Sequence, residues 1–282
     1  MHIAQKVTSV LGERHAPKQR AEAQRVLARG RHSGDEGPSK DLPSRRPRLD
    51  PAEFIKANMR LVPVPGLAEI RLYTAHPGSG LRRLVDAEDD ADADDDAPEP
   101  QPPYWAYAWA GGAVLARHIL DNPMTMAGRR VLDLGAGSGI VGIAAAKAGA
   151  SEVIAAEIDR NGVAAIGLNA EANGVEIRIV HQDITTGPPP AVDLVLAGDV
   201  FYGHEVALRV TPFLDRCLAA GIEVLVGDPR RHDLPLSRLR LLAEYQVPDF
   251  GDAKDAALKP SGVFRFEAET APALAGAIKP SP

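Results

Sequence analysis

The feature that most constrains this chain is a regular alternation of apolar runs from Arg129 to Glu269. RRVLDLG, EVIAAEID, IRIVHQD, VDLVLAGDV and IEVLVGDP are short and nearly continuously apolar. Such runs form strands buried on both faces, as in a parallel sheet. Between them IVGIAAAKAG, NGVAAIGLNAEANG and HEVALRVTPFLDRCLAAG read as helices, and LPLSRLRLLAEY at 234–245 reads as another. GVFRFEAE, near 262–269, reads as a last strand. The alternation predicts an α/β domain with a buried parallel sheet and helices packed on it.

The flanks have a different character. Residues 1–49 are rich in charge, Pro, Gly and Ser and are expected to be a disordered basic extension. Order is expected from Asp50, which with Pro51 and Glu53 makes an N-cap, a first-turn proline and a capping acid. AEFIKANMRL then reads as a helix that buries Phe54, Ile55 and Met59, and IRLYTA at 70–75 as a strand. Residues 86–100 are almost pure acid and alanine, so mutual repulsion predicts a solvated loop. The tail after Thr270 is expected to fray.

Bulk properties exclude several classes. A single cysteine, Cys217, rules out a disulfide framework within the chain and fits a reducing compartment. A net charge of -6 argues against nonspecific nucleic-acid binding. No run of about 18 apolar residues predicts a membrane span. The N-terminus lacks an apolar signal core, and Glu13 and Glu22 count against a transit peptide, so a cytoplasmic location is expected. The histidines form no metal-binding spacing and Cys217 has no partner, so no metal is expected. Neither a nucleophile elbow nor a Walker lysine is present.

The strongest local motif is Asp133-Leu134-Gly135-Ala136-Gly137-Ser138-Gly139, between an apolar strand and an apolar helix. Glycines there allow a tight turn and close approach of a ligand to the backbone. A dinucleotide turn would place its third glycine where Ile140 stands; here it is Gly139. With an acid two residues before the first glycine, the pattern suits a zwitterionic, sulfonium-bearing ligand better than a pyrophosphate. Glu157, at the end of the next strand, is placed to accept both hydroxyls of a ribose, with Asp159 either competing for that role or capping the following helix. Asp183, at the end of the third strand, is placed to accept an adenine amino group.

Two further segments face the substrate side. In Gly198-Asp199-Val200-Phe201-Tyr202, Asp199 is placed to hold an incoming ammonium, while Phe201 and Tyr202 either flank that cation or pack beneath the next helix. In Pro102-Pro103-Tyr104-Trp105-Ala106-Tyr107-Ala108-Trp109, the two tryptophans are four apart and would share a helix face, as a pocket wall or as ordinary packing.

Taken together these segments resemble the class I, seven-β-strand methyltransferases that use S-adenosylmethionine. More narrowly, the chain resembles the lysine methyltransferases of the electron transfer flavoprotein β-subunit. The resemblance is carried by PPYWAYAWAGGAVLARHILDNP, VLDLGAGSGIVGIAA, EIDRNGVAAIGLNAEANG, GDVFY and VGDPRR, over roughly residues 50–270. It departs from the family pattern at Ala110, where a proline is usual, and at Glu157, where Asp is commoner.

The resemblance implies a Rossmann-like seven-stranded sheet with helices on both faces and an N-terminal helix-and-strand extension. With the change of composition at 102, the chain divides into an extension at 50–101, a methyltransferase domain at 102–270 and a flexible tail at 271–282. The resemblance implies S-adenosylmethionine contacts at Asp133, Gly135, Gly137, Gly139, Glu157, Asp183 and Trp109. It places Asp199 in the catalytic role of binding and orienting an amine, with Phe201, Tyr202 and Trp105 at the substrate. The expected partner is a protein lysine, that of the flavoprotein β-subunit, met by a monomer without nucleic acid or membrane. A small-molecule N-methyltransferase, a ribosomal-protein methyltransferase and a noncatalytic cofactor-binding protein remain open alternatives.

Overall fold

A computed structural model describes residues 49–84, 102–247 and 258–269. The expectations for 1–48, the acidic stretch at 86–100 and the tail after Glu269 lie outside the described residues.

Asp50 caps helix α1 (Pro51–Asn58) by accepting from the Ala52 and Glu53 amides at 2.8 and 3.0 Å. The helix is shorter than its sequence pattern suggests. At Arg60 the chain enters an antiparallel hairpin of β1 (Arg60–Val64) and β2 (Leu67–Thr74). Ile70 and Leu72 of β2 point into the main core, so the hairpin covers part of the sheet domain.

The sheet domain runs α2 (Ala110–Asp121), β3 (Arg130–Leu134), α3 (Ile140–Lys147), β4 (Glu152–Glu157), α4 (Arg160–Asn173), β5 (Arg178–His181), β6 (Leu194–Gly198), α5 (His204–Ala219), β7 (Glu223–Asp228), β8 (Leu239–Val247) and β9 (Lys259–Phe266). Its seven strands lie in the order β5-β4-β3-β6-β7-β9-β8. Five are parallel, while β9 runs antiparallel to β7 and β8 antiparallel to β9. The sheet is therefore mixed rather than wholly parallel.

The segment 234–245, expected as a helix, is instead a short 3-10 turn at Leu236–Arg238 followed by β8. Leu242, Ala243, Tyr245 and Val247 pack on the main core, Leu239 packs in the cluster on the other face and Leu241 is exposed, with a register shift between Leu241 and Ala243. The bulge puts Leu242 and Ala243 on the same face, and with Leu239 their spacing imitates a helical period.

Successive residues of each strand bury on opposite faces. Val131 and Leu194 meet α2 and α3 through Leu115 and Ile143. Leu132 and Val195 meet α5 through Phe213 and Leu214. α1 docks on α4 through Phe54, Ile55 and Leu168, with Trp105 in the same cluster. Among the described residues no helix is long and apolar enough to cross a membrane.

Candidate active site

The strand order reverses between β3 and β6, and in open α/β sheets a ligand crevice forms outside the carboxyl ends of the strands at such a point. Here that crevice is a cavity of about 210 Å³. One half is built by the glycine turn. After β3 the backbone passes through Gly135, Gly137 and Gly139 with φ of 63, 53 and 79°, conformations that a side chain would disfavour. Gly139 is the N-cap of α3, its would-be side chain facing Ile166 rather than the cavity. Asp133, fully inside, accepts from the Gly142 amide at 2.8 Å and so ties the strand to the first turn of α3. Burial pushes its carboxyl up to about 7; the Gly142 amide opposes the shift and the nearby Glu157 charge adds to it.

Glu157, the last residue of β4, grips this turn. One carboxylate oxygen accepts from the Gly137 amide at 2.7 Å, the other from the Ile158 and Asp159 amides at 2.7 and 2.9 Å. Burial raises its pKa and those three donors work against the rise. Asp159 caps α4 through the Asn161 and Gly162 amides, the capping alternative weighed above. Asp183 accepts from the amide and hydroxyl of Thr185 at 2.9 and 2.5 Å, and its second oxygen lies 3.6 Å from Arg209.

The other half depends on close backbone approach. α2 starts at Trp109 without a side-chain cap of its own. Its Gly111 and Gly112 press against Gly227 and Gly198 at the ends of β7 and β6. A Cβ on Gly227 would stand 2.2 Å from the Gly111 carbonyl oxygen, and one on Gly198 would stand 2.9 Å from the Gly112 Cα. This approach brings the uncapped amides of α2 to Asp199, whose Oδ2 accepts from both Gly111 and Gly112. Asp199 itself has φ of 57°, a left-handed conformation that Asp tolerates better than most residues.

The Asp199 Oδ1 accepts from Arg231 Nε and Nη2 at 2.7 and 2.5 Å, with both side chains about one-tenth exposed. Asp228 places that arginine by accepting from its amide at 2.7 Å. Burial raises the Asp228 pKa, the Asp199 charge adds to the rise and Arg231 opposes it. The Arg231 guanidinium also lies over the Trp109 ring, 5.9 Å from its centre. Trp109 donates its indole N–H to the Tyr104 carbonyl at 2.6 Å. Tyr104 packs at 5.7 Å on Trp109 and at 5.1 Å on Tyr202, so these rings form a continuous wall.

The cavity therefore brings together Asp133, Gly135, Gly137, Glu157, Asp183, Trp105, Trp109, Asp199 and Tyr202. Phe201, expected at the substrate, is fully buried in the core beside α5 and does not line the cavity. The tryptophans do not share a helix: Trp105 sits in a 3-10 turn (Tyr104–Ala106) and Trp109 at the start of α2. Asp199, expected to receive an ammonium, is already held by two amides and a guanidinium. The sequence reading gave no role to Arg231, nor to the glycine pairs. The Gly-Gly at 111–112 and the Gly-Asp pairs at 198–199 and 227–228, closing two neighbouring apolar runs, are the available signal.

These residues fit S-adenosylmethionine. At Gly137 the nearest atom a Cβ would meet is the Trp105 Cα at 3.9 Å, so the turn leaves open space on that side. The carboxylate oxygens of Glu157 and Asp183 retain lone pairs beyond the amides they accept from. Acids on three adjacent strand ends suit a cationic ligand carrying hydroxyls and an exocyclic amine.

A family model described as ribosomal protein L11 methyltransferase (PrmA) matches residues 114–198. The electron transfer flavoprotein beta subunit lysine methyltransferase of Danio rerio is 39% identical over 171 residues, 58% of this chain and 66% of that protein. The protein of the same name from Xenopus laevis is 34% identical over 232 residues, 80% of this chain and 90% of that protein. A ribosomal protein L11 methyltransferase from Alteromonas mediterranea is 34% identical over 140 residues, 49% of this chain and 42% of that protein. With nearly the whole Xenopus protein matched and the glycine turn, acids and aromatic wall assembled in one cavity, the chain belongs to the electron transfer flavoprotein beta subunit lysine methyltransferase family of class I S-adenosylmethionine-dependent methyltransferases.

Proposed function

We propose that the chain methylates the ε-amine of a lysine on the β-subunit of electron transfer flavoprotein, in the cytoplasm, and that Asp133, Gly135, Gly137, Glu157, Asp183 and Trp109 hold the methyl donor. The observation that carries this reading is the wall of Tyr104, Trp109 and Tyr202 beside the Asp199–Arg231 pair, in the same cavity as the glycine turn. Aromatic faces of this kind suit a long alkyl stem that ends in an amine.

S-adenosylmethionine, when bound, supplies a methyl group already activated by its positively charged sulfur. What remains for the protein is placement and deprotonation. Glu157 and the glycine turn fix the donor end. The aromatic wall confines the amine and excludes water. Alignment of this kind contributes several kcal/mol, up to roughly 7–11 in ideal cases. A lysine amine has an ordinary pKa near 10.4 and must be neutral to attack, so an apolar wall favours the reactive form. Asp199 acts by orientation: it joins α2 to the ends of β6 and β7 and fixes Arg231 against Trp109.

A ribosomal-protein substrate is the second reading, prompted by the family model at 114–198. That match ends at Gly198, before Tyr202 and Arg231, and so covers the donor half of the cavity more than the amine half. Incubating the purified chain with labelled S-adenosylmethionine and a cell extract, followed by mass spectrometry, tests the proposal. Label on a lysine of the flavoprotein β-subunit is the expected result; label on a small molecule or a ribosomal protein would replace it.

A further inference from the structure

We propose that Arg231 is a positioning residue that makes the cavity select an uncharged amine. It holds the Asp199 carboxylate in a two-pronged ion pair and so removes the anion that would otherwise keep an incoming amine protonated. This rests on the reading above that the nucleophile is an amine.

Asp199 lines the same cavity as Tyr202 and Trp109. An unpaired carboxylate there would favour the ammonium form, which cannot attack. Arg231 removes that effect without titrating, because a guanidinium stays charged throughout the working range. The pair is about nine-tenths buried, so salt screens it little. Both guanidinium contacts fall on Oδ1 while Oδ2 serves the α2 amides, so the carboxylate is held from both sides.

The turn between β7 and β8 is shaped for this placement. Arg230 takes a left-handed φ of 65° and turns outward to Glu244 at 2.7 Å, while Asp228 fixes the amide of Arg231. Trp109 then supports the inward guanidinium from one face.

The other ionisable groups near the pair are accounted for by element. Asp228 at the end of β7 is fully buried and bonded to the Arg231 amide. Asp133 and Glu157 at the ends of β3 and β4 hold the glycine turn. Asp159 caps α4, Arg209 of α5 faces Asp183, His204 of α5 and His232 each lie 3.6 Å from Asp233, and Tyr104, Tyr107 and Tyr202 also line the cavity.

The test compares wild type with Arg231→Met, Arg231→Lys, Asp199→Asn and the Asp199→Asn/Arg231→Met double variant. Two quantities are measured: the pH dependence of methyl transfer to lysine at saturating S-adenosylmethionine, and calorimetric binding of n-butylammonium at pH 7. Arg231→Met should move the acidic limb of the rate profile upward by about one unit and bind n-butylammonium about tenfold more tightly. The double variant should return both to near wild type, and Arg231→Lys should keep both close to wild type. Asp199→Asn, which leaves the arginine charge alone, should move the limb downward and weaken n-butylammonium about tenfold. This opposite shift decides the matter even if Arg231→Met does not fold.

Slower variants with an unmoved limb and unchanged n-butylammonium affinity would make Arg231 a purely structural residue and overturn the inference. Because n-butylammonium binding needs no methyl transfer, the two readings fail separately. A chain that methylates no lysine but shows the tenfold gain would overturn the substrate reading and support the charge pairing.

Discussion

The proposed donor end of the cavity and the proposed amine end are built from different materials. The donor end uses backbone amides and carboxylates from consecutive βα units: the turn after β3, Glu157 after β4 and Asp183 after β5. Each acid bonds amides a few residues away or in the adjoining turn. The amine end is assembled from segments far apart in sequence. Asp199 accepts from Gly111, 88 residues earlier, and from Arg231, 32 residues later. In the proposed reading, local chemistry fixes the donor end and tertiary packing the amine end.

The largest expected effect falls on the amine end. Asp199→Ala removes the acceptor for two amides and leaves Arg231 buried without its partner, a loss of about 3–5 kcal/mol in comparable pairs. We expect turnover to fall by roughly a thousandfold (about 4 kcal/mol in the barrier) in a labelled-methyl assay, with a lowered Tm. Wild-type turnover would remove Asp199 from the amine end altogether.

Glu157→Ala should act on the other side of the comparison. It removes the acceptor for three amides and the acid placed for the donor's hydroxyls. Charge-assisted hydrogen bonds contribute about 1.5–3 kcal/mol each, so S-adenosylmethionine binding should weaken by about 30- to 100-fold. Calorimetry reads this directly, and turnover at saturating donor should change much less.

Tyr202→Ala should raise KM for the lysine substrate by about two- to fivefold with kcat nearly unchanged. Tyr202 is half-exposed, and a cation contact there contributes about 0.5–1 kcal/mol. A drop in kcat with constant KM would move Tyr202 from substrate capture to alignment.

A last effect is read in the stability of the ligand-free protein rather than in turnover. The Asp133 carboxyl is raised from the ordinary 3.8 to about 7 in the fold. The folded state therefore holds its proton more tightly than the unfolded chain. The stability this contributes is complete below pH 3.8 and is lost as pH rises through about 7. Asp133→Asn removes that dependence and should be more stable than wild type at pH 8, by up to about 4 kcal/mol for a shift of this size. Denaturant titrations of the ligand-free protein at pH 4 and pH 8 check it; equal pH slopes for the two proteins would contradict it.

The difference between the two ends also explains what could be read from sequence. The βα units, the glycine turn and the acids at strand ends are recorded in residues a few positions apart, and each appears where the spacing puts it. Phe201 and Tyr202 are adjacent, yet one is core and the other lines the cavity, because they leave opposite sides of the turn before α5. No spacing rule separates them. Arg231 acquires its partner only because four glycines let α2 cross the ends of β6 and β7. The strand β8 was hidden because a bulge put its apolar residues into a pattern that a helix would also satisfy.

The most direct test is calorimetric titration of S-adenosylmethionine into wild type, Glu157→Ala and Asp199→Ala under one set of conditions. The account predicts a loss of at least 30-fold for Glu157→Ala and an affinity within about threefold of wild type for Asp199→Ala. Equal losses in both variants, or a greater loss in Asp199→Ala, would contradict the division of the cavity into a donor end and an amine end.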